Sequence, residues 1–212
     1  MSINPIQPKA LIVDWGGVLT NGLDHMLTNW TKQEKIDLQT YYKVFNDWLG
    51  PEAEKELRIN PIHALEKGEM NVPDFEKELA HALKTLGNID VEQEGLLSRM
   101  FDFFEHAPDM NGLVHRAKKM GFKTALLSNS WGNNYPRDGW DEMFDEVVIS
   151  GEVGMRKPDP EIFHHTLDLF LGQTGVCLDG DLVFFASIFI FCGRSEEHTS
   201  ELQSLAYLVC RL

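Results

Sequence analysis

The chain has 212 residues, 43% of them apolar and 25% charged, which is ordinary for a folded protein in water. Its formal net charge is −14, which argues against a nucleic-acid partner, because displacing counterions from a phosphate backbone needs clustered basic residues. The longest apolar run, Leu182 to Cys192, is shorter than the ~18 residues of a membrane span, so no membrane partner is expected. Three cysteines without CxxC spacing favour a reducing compartment. We therefore predict a soluble, cytoplasmic protein of unknown oligomeric state.

Short apolar runs that end in small or polar residues recur along the chain and predict buried strands. The runs are Ala10–Val13, Thr124–Leu127, Glu146–Ile149 and Val176–Leu178. Apolar runs of this length are typical of strands buried on both faces, and their alternation with helical segments indicates βα units in a parallel sheet. Ligands of such sheets bind beyond the carboxyl ends of the strands. The polar residues that end these runs are therefore expected to face one crevice.

Between the first two predicted strands, from about Gly22 to Phe104, apolar residues follow helical spacing. Thr31 and Glu34 form a candidate capping box for one helix, and another helix begins at Pro73. The apolar positions are Leu38, Tyr41, Phe45 and Trp48 in the first helix, Phe75, Leu79, Leu83 and Leu86 in the second, and Leu96, Leu97, Met100, Phe101 and Phe104 in a third. A helical insertion is thus predicted after the first strand.

The residues that follow the first two predicted strands are suited to binding a phosphoryl group. Asp14 ends the first strand, and the glycines at 16 and 17 would let a ligand approach the backbone closely. Ser128 and Asn129 end the second strand, where a hydroxyl and an amide can hold a phosphate oxygen without adding charge. Taken singly, a strand-terminal aspartate or a Ser-Asn pair is also ordinary turn chemistry.

Two later segments add charge to the same crevice. Lys157, in the stretch Gly154–Pro160, supplies a compact cation, and the prolines beside it stiffen the loop before the next helix. Asp179 and Asp181 follow the fourth predicted strand, where two carboxylates would complete an oxygen-ligand site for Mg²⁺ together with Asp14. Singly, these residues are equally consistent with a solvated lysine and an acidic turn. The four groups in this order are far more specific than any one of them.

Taken in order, the four segments resemble the motifs of the haloacid dehalogenase-like (HAD) hydrolase superfamily, in its capped subfamily I type. The segments are IVDWGGVLTN, TALLSNS, VISGEVGMRKPDPEIF and LDGD, and the resemblance covers about residues 8–181. It implies an α/β fold in which a Rossmann-like parallel sheet carries an inserted helical cap. The implied division is a discontinuous HAD-like core at residues 1–20 and 106–193, with the cap at residues 21–105.

The end of the chain carries a second resemblance. Residues 194–204, RSEEHTSELQS, resemble the translation of a widely used sequencing adapter. We therefore predict that residues 194–212 are an artefactual tail without evolved function. The C-terminal part of the core is then truncated, because a core of this kind is expected to continue into at least one more strand and helix.

The family resemblance implies a phosphatase that acts on a small phosphomonoester through an aspartyl-phosphate intermediate. Asp14 would be the nucleophile, and Lys157 would offset the charge that develops during transfer. The transferring phosphoryl oxygens would be bound by Ser128, Asn129 and Lys157. The cofactor would be Mg²⁺, with ligands from Asp14, the backbone carbonyl of Gly16, and Asp179 or Asp181.

Two positions depart from the family pattern. Family phosphatases carry a second aspartate two residues after the nucleophile as general acid and base, and here that residue is Gly16; such catalysis contributes ~10²–10⁴-fold. The LDGD segment leaves open which of Asp179 and Asp181 would bind the metal. The missing acid favours, as an alternative, a phosphate-binding or regulatory module without turnover. A 2-haloacid dehalogenase is the third candidate, although family dehalogenases carry an aromatic residue where this chain has glycine.

Overall fold

The computed structural model describes residues 8–50, 59–132, 134–174, 181–186 and 206–210, with the backbone alone at 8–9, 170–174, 181–186 and 206–210. Within these residues the chain forms one five-stranded sheet of order β3-β2-β1-β4-β5. The strands are β1 (Pro8–Val13), β2 (Lys123–Ser128), β3 (Glu146–Ile149), β4 (Asp181–Ala186) and β5 (Ala206–Cys210). Strands β1 to β4 run parallel, and β5 is antiparallel to β4. The predicted α/β class with a Rossmann-like parallel sheet is confirmed.

Nine helices accompany the sheet in the described part of the chain. Five of them lie between β1 and β2, and we call these five helices the cap: α1 (Leu23–Glu34), α2 (Leu38–Leu49), α3 (Pro61–Glu66), α4 (Val72–Gly87) and α5 (Leu96–Phe101). The others are α6 (Pro108–Lys119), α7 (Trp140–Met143), α8 (Ser150–Val153) and α9 (Pro160–Thr174).

The strands β1, β2 and β3 are covered on both faces, which explains their continuous apolar runs. Side chains alternate between the two faces of a strand, so β1 sends Leu11 and Val13 into one cluster and Ala10 and Ile12 into another. Helix α6 closes the first cluster, and helix α9 closes the second through Ile162. Burial on both faces makes the sheet a rigid support for the loops at its carboxyl edge.

The cap has a hydrophobic core of its own. Its most deeply buried large side chains include Trp30, Tyr41, Phe45, Phe75, Leu79, Leu83 and Leu97. These residues come from α1, α2, α4 and α5, so the aromatic and aliphatic stripes of the insertion pack against one another. The exact limits of the cap, at residues 21 and 105, stay a prediction.

Two local predictions in the cap are wrong. Thr31 does not cap α2: it lies inside α1, where its hydroxyl donates to the Leu27 carbonyl at 2.7 Å. The N-cap of α2 is Asp37, whose carboxylate accepts from the Thr40 amide at 3.0 Å. Leu86 is 43% exposed, because it lies in the last turn of α4, beyond the end of the buried stripe.

In the described part of the chain, the strand that follows α9 is β4. The predicted run Val176–Leu178 falls outside the described residues, and β4 begins at Asp181, opposite Pro8 in β1. Asp181 therefore stands at the amino end of a strand rather than beyond its carboxyl end. The backbone of β5 lies within the segment predicted as an artefactual tail, at the edge of the sheet beside β4.

Asn21 ties together the two chain segments that join the sheet to the cap. Its amide nitrogen donates to the Phe103 carbonyl at 3.0 Å, and its amide oxygen accepts from the Glu105 N–H at 3.2 Å. The backbone adds a bond from the Asn21 N–H to the Glu105 carbonyl at 2.7 Å and a bridge between Thr20 and His106.

In the part of the chain that the structure describes, no helix combines the length and apolar character needed to cross a membrane.

We expect Asn21→Ala to lower the free energy of unfolding by about 1–2 kcal/mol, because it removes two side-chain hydrogen bonds, one partly buried and one exposed, that each contribute about 0.5–1.5 kcal/mol. The matched control is Asn29→Ala, since Asn29 is half-buried and its side chain makes exposed hydrogen bonds to His25 within α1. Urea denaturation of both variants measures the difference. Equal losses in the two variants would show that Asn21 does not join the segments.

Candidate active site

A buried ion pair stands at the carboxyl edge of the sheet. Lys157 Nζ lies 2.7 Å from Asp14 Oδ2, and the two side chains are 13% and 10% exposed. Lys157 Nζ also donates to the Leu127 carbonyl at 2.9 Å, and Asp14 Oδ1 accepts from the Trp15 N–H at 2.8 Å. The structure thus brings together a carboxylate and a cation from distant parts of the chain. A carboxylate with one flanking cation is suited to nucleophilic chemistry on an anionic group.

Asn129 holds the main chain of Lys157 in place. Its amide oxygen accepts from the Lys157 N–H at 2.8 Å, and its amide nitrogen donates to the Lys157 carbonyl at 3.0 Å. Asn129 was predicted to bind phosphate, and in the structure its side-chain amide bonds to the main chain of Lys157. Because both ends of the amide are used, the loop that carries Lys157 is locked to the end of β2.

Ser128, at the end of β2, is paired with Tyr135, a residue that the sequence motifs did not single out. The two hydroxyl oxygens lie 2.9 Å apart, and the Tyr135 hydroxyl also donates to the Asn129 carbonyl at 3.2 Å. Burial, reinforced by the charge of Asp14, raises the pKa of Tyr135 well above its usual value. The phenol therefore stays protonated at physiological pH and acts as a hydrogen-bond donor beside the site.

The loop after Asp14 is a tight turn around Gly16. Gly17 has a φ of 74°, and its N–H donates to the Thr20 hydroxyl oxygen at 2.9 Å. Trp15 packs edge-on against Phe104 and Tyr135, with ring centroids 4.8 and 5.0 Å apart. A Cβ placed on Gly16 would meet Leu23 Cδ2 at 3.6 Å, an ordinary contact distance. The position that lacks the general acid therefore has room for a Cβ atom.

Of the two metal ligands predicted from the acidic segment, the structure describes the backbone of Asp181 alone. Asp179 lies outside the described residues. Asp181 pairs with Pro8 at the amino end of the sheet, and six strand residues at about 3.3 Å each separate that level from Asp14. The side of β4 next to Asp14 is instead reached by Phe185, opposite Val13, and then by Ala186, which has no oxygen in its side chain. The backbone register thus places Asp181 at the level of Pro8, and a metal ligand from Asp179 or Asp181 stays a prediction.

Asp14 and Gly16 remain as oxygen donors for a metal ion. Among the described side chains, no group of three or more His, Cys, Asp or Glu residues is arranged to hold one. Mg²⁺ nevertheless needs only one or two carboxylates from a protein, because waters and substrate phosphate oxygens complete its shell. The Asp14 carboxylate supplies that minimum, and the Gly16 carbonyl is a further oxygen donor.

Comparison with known proteins places this chain in a family. The family model for haloacid dehalogenase-like hydrolases matches residues 8–178. The bifunctional riboflavin kinase/FMN phosphatase of Arabidopsis thaliana is 30% identical over 126 residues, which are 57% of this chain and 31% of that protein. The chain spans less than a third of the length of the curated relatives that it matches.

Solved structures share the fold. A HAD family enzyme of Bacteroides thetaiotaomicron, solved with magnesium and inorganic phosphate, superposes with a TM-score of 0.55 at 20% identity over 88% of both chains. An L-2-haloacid dehalogenase superposes with a TM-score of 0.52 at 18% identity, over 85% of this chain and 78% of that one. At such identities the likeness shows the fold alone.

We expect Lys157→Met and Asp14→Asn each to lower the free energy of unfolding by about 3 kcal/mol, because each leaves one buried charge without its partner. The double variant should lose less free energy of unfolding than the sum of the two single losses. Urea denaturation of the set measures this coupling. Lys84→Met is the control, since the exposed pair of Lys84 with Asp90 should contribute less than about 1 kcal/mol. Strict additivity at Asp14 and Lys157 would contradict the ion pair.

Proposed function

The chain belongs to the haloacid dehalogenase-like hydrolases, and we propose that within this family it is a phosphatase acting on a small phosphomonoester. The observation that carries the proposal is the pairing of Asp14 with Lys157 at the carboxyl edge of the sheet, 2.7 Å apart. The phosphatase activity named for the Arabidopsis relative supports the same reaction class. The substrate itself is left open, because that relative shares only 126 aligned residues with this chain.

The proposed reaction has two displacements at phosphorus. A carboxylate oxygen of Asp14 forms a bond to phosphorus while the bond to the ester oxygen breaks, and the leaving oxygen keeps the electron pair. Water then attacks the aspartyl-phosphate, which releases inorganic phosphate and restores the carboxylate. The ammonium group of Lys157 offsets the negative charge on the phosphoryl oxygens in both steps.

The neighbouring polar groups would orient the phosphoryl group. The Ser128 hydroxyl can donate to a phosphate oxygen when the single proton of the Tyr135 phenol turns from the Asn129 carbonyl to the Ser128 oxygen. Asn129 acts by holding the main chain on which Lys157 is mounted. Mg²⁺, held by Asp14 and the Gly16 carbonyl, would supply Lewis-acid charge compensation at the phosphoryl oxygens.

A phosphate-binding module without turnover is the second candidate, and Gly16 is the observation that favours it. Without an acid at that position, a poor leaving group must depart as an alkoxide, which slows the first displacement. Good leaving groups need little protonation. A phosphatase that lacks this acid should therefore still release phosphate from esters whose leaving group has a low pKa. Binding of phosphorylated ligands with no phosphate release from any ester would select the module.

We expect the wild-type protein with Mg²⁺ to release inorganic phosphate from aryl phosphates and Asp14→Asn to release none, because the variant lacks the nucleophile. Phosphate release and halide release from a 2-haloacid are measured in parallel, with and without a chelator. The control is Asp109→Asn, a substitution in the first turn of α6, which should keep full activity. Halide release with no phosphate release would replace the phosphatase with a dehalogenase.

We expect Gly16→Asp to raise kcat/KM for alkyl phosphates by about 10²-fold, because a general acid contributes ~10²–10⁴-fold and a Cβ at this position meets Leu23 Cδ2 at an ordinary 3.6 Å. The rate with p-nitrophenyl phosphate should change little, since that leaving group needs no proton. Gly16→Asn is the matched control, with the same shape and no acidic proton. An equal gain in Gly16→Asn would mean that the effect is not proton transfer.

A further inference from the structure

One cap residue contacts both loops that carry the candidate active site. Glu66, the last residue of α3, is only 7% exposed. Its Oε2 accepts from Arg156 Nε at 2.6 Å, and its Oε1 accepts from the indole N–H of Trp131 at 3.3 Å. Arg156 immediately precedes Lys157, and Trp131 lies two residues after Asn129. A single carboxylate from the cap thus bridges the ends of both site loops.

The backbone of Glu66 makes a third connection. Its carbonyl accepts from the Ser150 hydroxyl at 2.5 Å, and the same hydroxyl oxygen accepts from the Ser130 N–H at 2.7 Å. Ser130 and Ser150 are both almost fully buried. The link therefore runs from the cap through Ser150 into the loop that begins with Ser128 and Asn129.

The cap is seated tightly on the sheet domain around this residue. Trp131 reaches into the cap, where its ring lies 5.9 Å from Phe45 in a stacked arrangement and 5.8 Å from Phe75. Gly68 has a φ of 72°, and a Cβ there would come within 2.6 Å of the Gly151 carbonyl oxygen. Backbone meets backbone at this point, so the position of Glu66 relative to the site loops is closely defined.

The charges explain why this contact matters for Lys157. The Arg156 and Glu66 side chains are 14% and 9% exposed, so neither is well solvated without the other. If the carboxylate lost its charge, the guanidinium would turn toward water or toward another anion such as Asp159. Any such movement of Arg156 would release from the cap the residue next to Lys157, whose ammonium group contacts Asp14.

We propose that Glu66 is a positioning residue of the active site, by which the docked cap holds the Arg156–Lys157 segment and the Ser130 loop in their working geometry. This role rests on the proposed function for its effect on catalysis. Glu66 itself touches neither Asp14 nor the reacting phosphoryl group. The site loops would be fully ordered only when the cap is in place.

The first test measures amide hydrogen exchange and needs no turnover. In Glu66→Gln we expect the Lys157 and Ser130 amides, which donate to Asn129 Oδ1 and Ser150 Oγ, to exchange about tenfold faster. Glu76→Gln is the matched control, because Glu76 is also a buried cap carboxylate. Its two oxygens accept hydrogen bonds from the Gly95 and Leu97 amides, away from the site loops. That control should speed exchange at Gly95 and Leu97 alone.

The second test is kinetic. We expect Glu66→Gln to lower kcat for aryl phosphates by about 10²-fold, the loss typical of a slightly misplaced catalytic group, with KM changed far less. Arg156→Lys keeps the positive charge but not the planar guanidinium. It should likewise lower kcat, with KM changed far less. The double variant should be no worse than the poorer single variant, whereas Glu76→Gln should keep the wild-type kcat.

The outcomes separate the two proposals. Unchanged exchange at Lys157 and Ser130 in Glu66→Gln, or faster exchange there in Glu76→Gln as well, overturns the positioning role. Faster exchange confined to Glu66→Gln with an unchanged kcat also overturns it, since the site would not depend on that geometry. If the wild-type protein releases no phosphate, the proposed function fails, and the exchange experiment still decides whether Glu66 positions the site loops.

Discussion

The parallel register of β1 with β2 is the constraint on which the site depends. Val13 pairs with Leu126, so the residues that follow these strands emerge at one level of the sheet. Strand β3 pairs with β2 in the same direction, with Ile149 opposite Ser128. Residues far apart in the chain therefore meet without any local sequence signal joining them. A slip of one residue would exchange the two faces of a strand and separate the ion pair.

Burial at this edge sets the electrostatic character of the site. Asp14 and Lys157 are both nearly enclosed, and each is the charge that compensates the other. In the proposed reaction, the phosphoryl group brings further negative charge to the same place, where Lys157 is the cation that contacts Asp14. The site is therefore built to hold an anion beside a carboxylate, and that arrangement is costly unless a cation stands between them.

Much of the fold could be predicted from the sequence, because its signals are local. Strands β1, β2 and β3 have apolar runs that burial on both faces requires, and the stripe of α4 follows helical spacing. The contact between Asp14 and Lys157 could be predicted from the family resemblance and from the parallel direction of the strands. Glu66 could not be found in this way, because its contacts join residues distant in sequence. Tyr135 lies only seven residues after Ser128, but it stands outside the four motifs. The start of β4 at Asp181 was not predicted, because the sequence places a short apolar run before that residue.

The paired segments around Asn21 have a consequence for how such a protein can change over time. The chain leaves the sheet domain and returns to it at neighbouring points that are bonded to each other. An insertion whose ends already meet adds little closure entropy to its host, whatever its length. The point of attachment therefore tolerates a longer or shorter helical unit. A replacement would still have to restore the contacts of Glu66 with Trp131 and Arg156, and the close approach of Gly68 to Gly151.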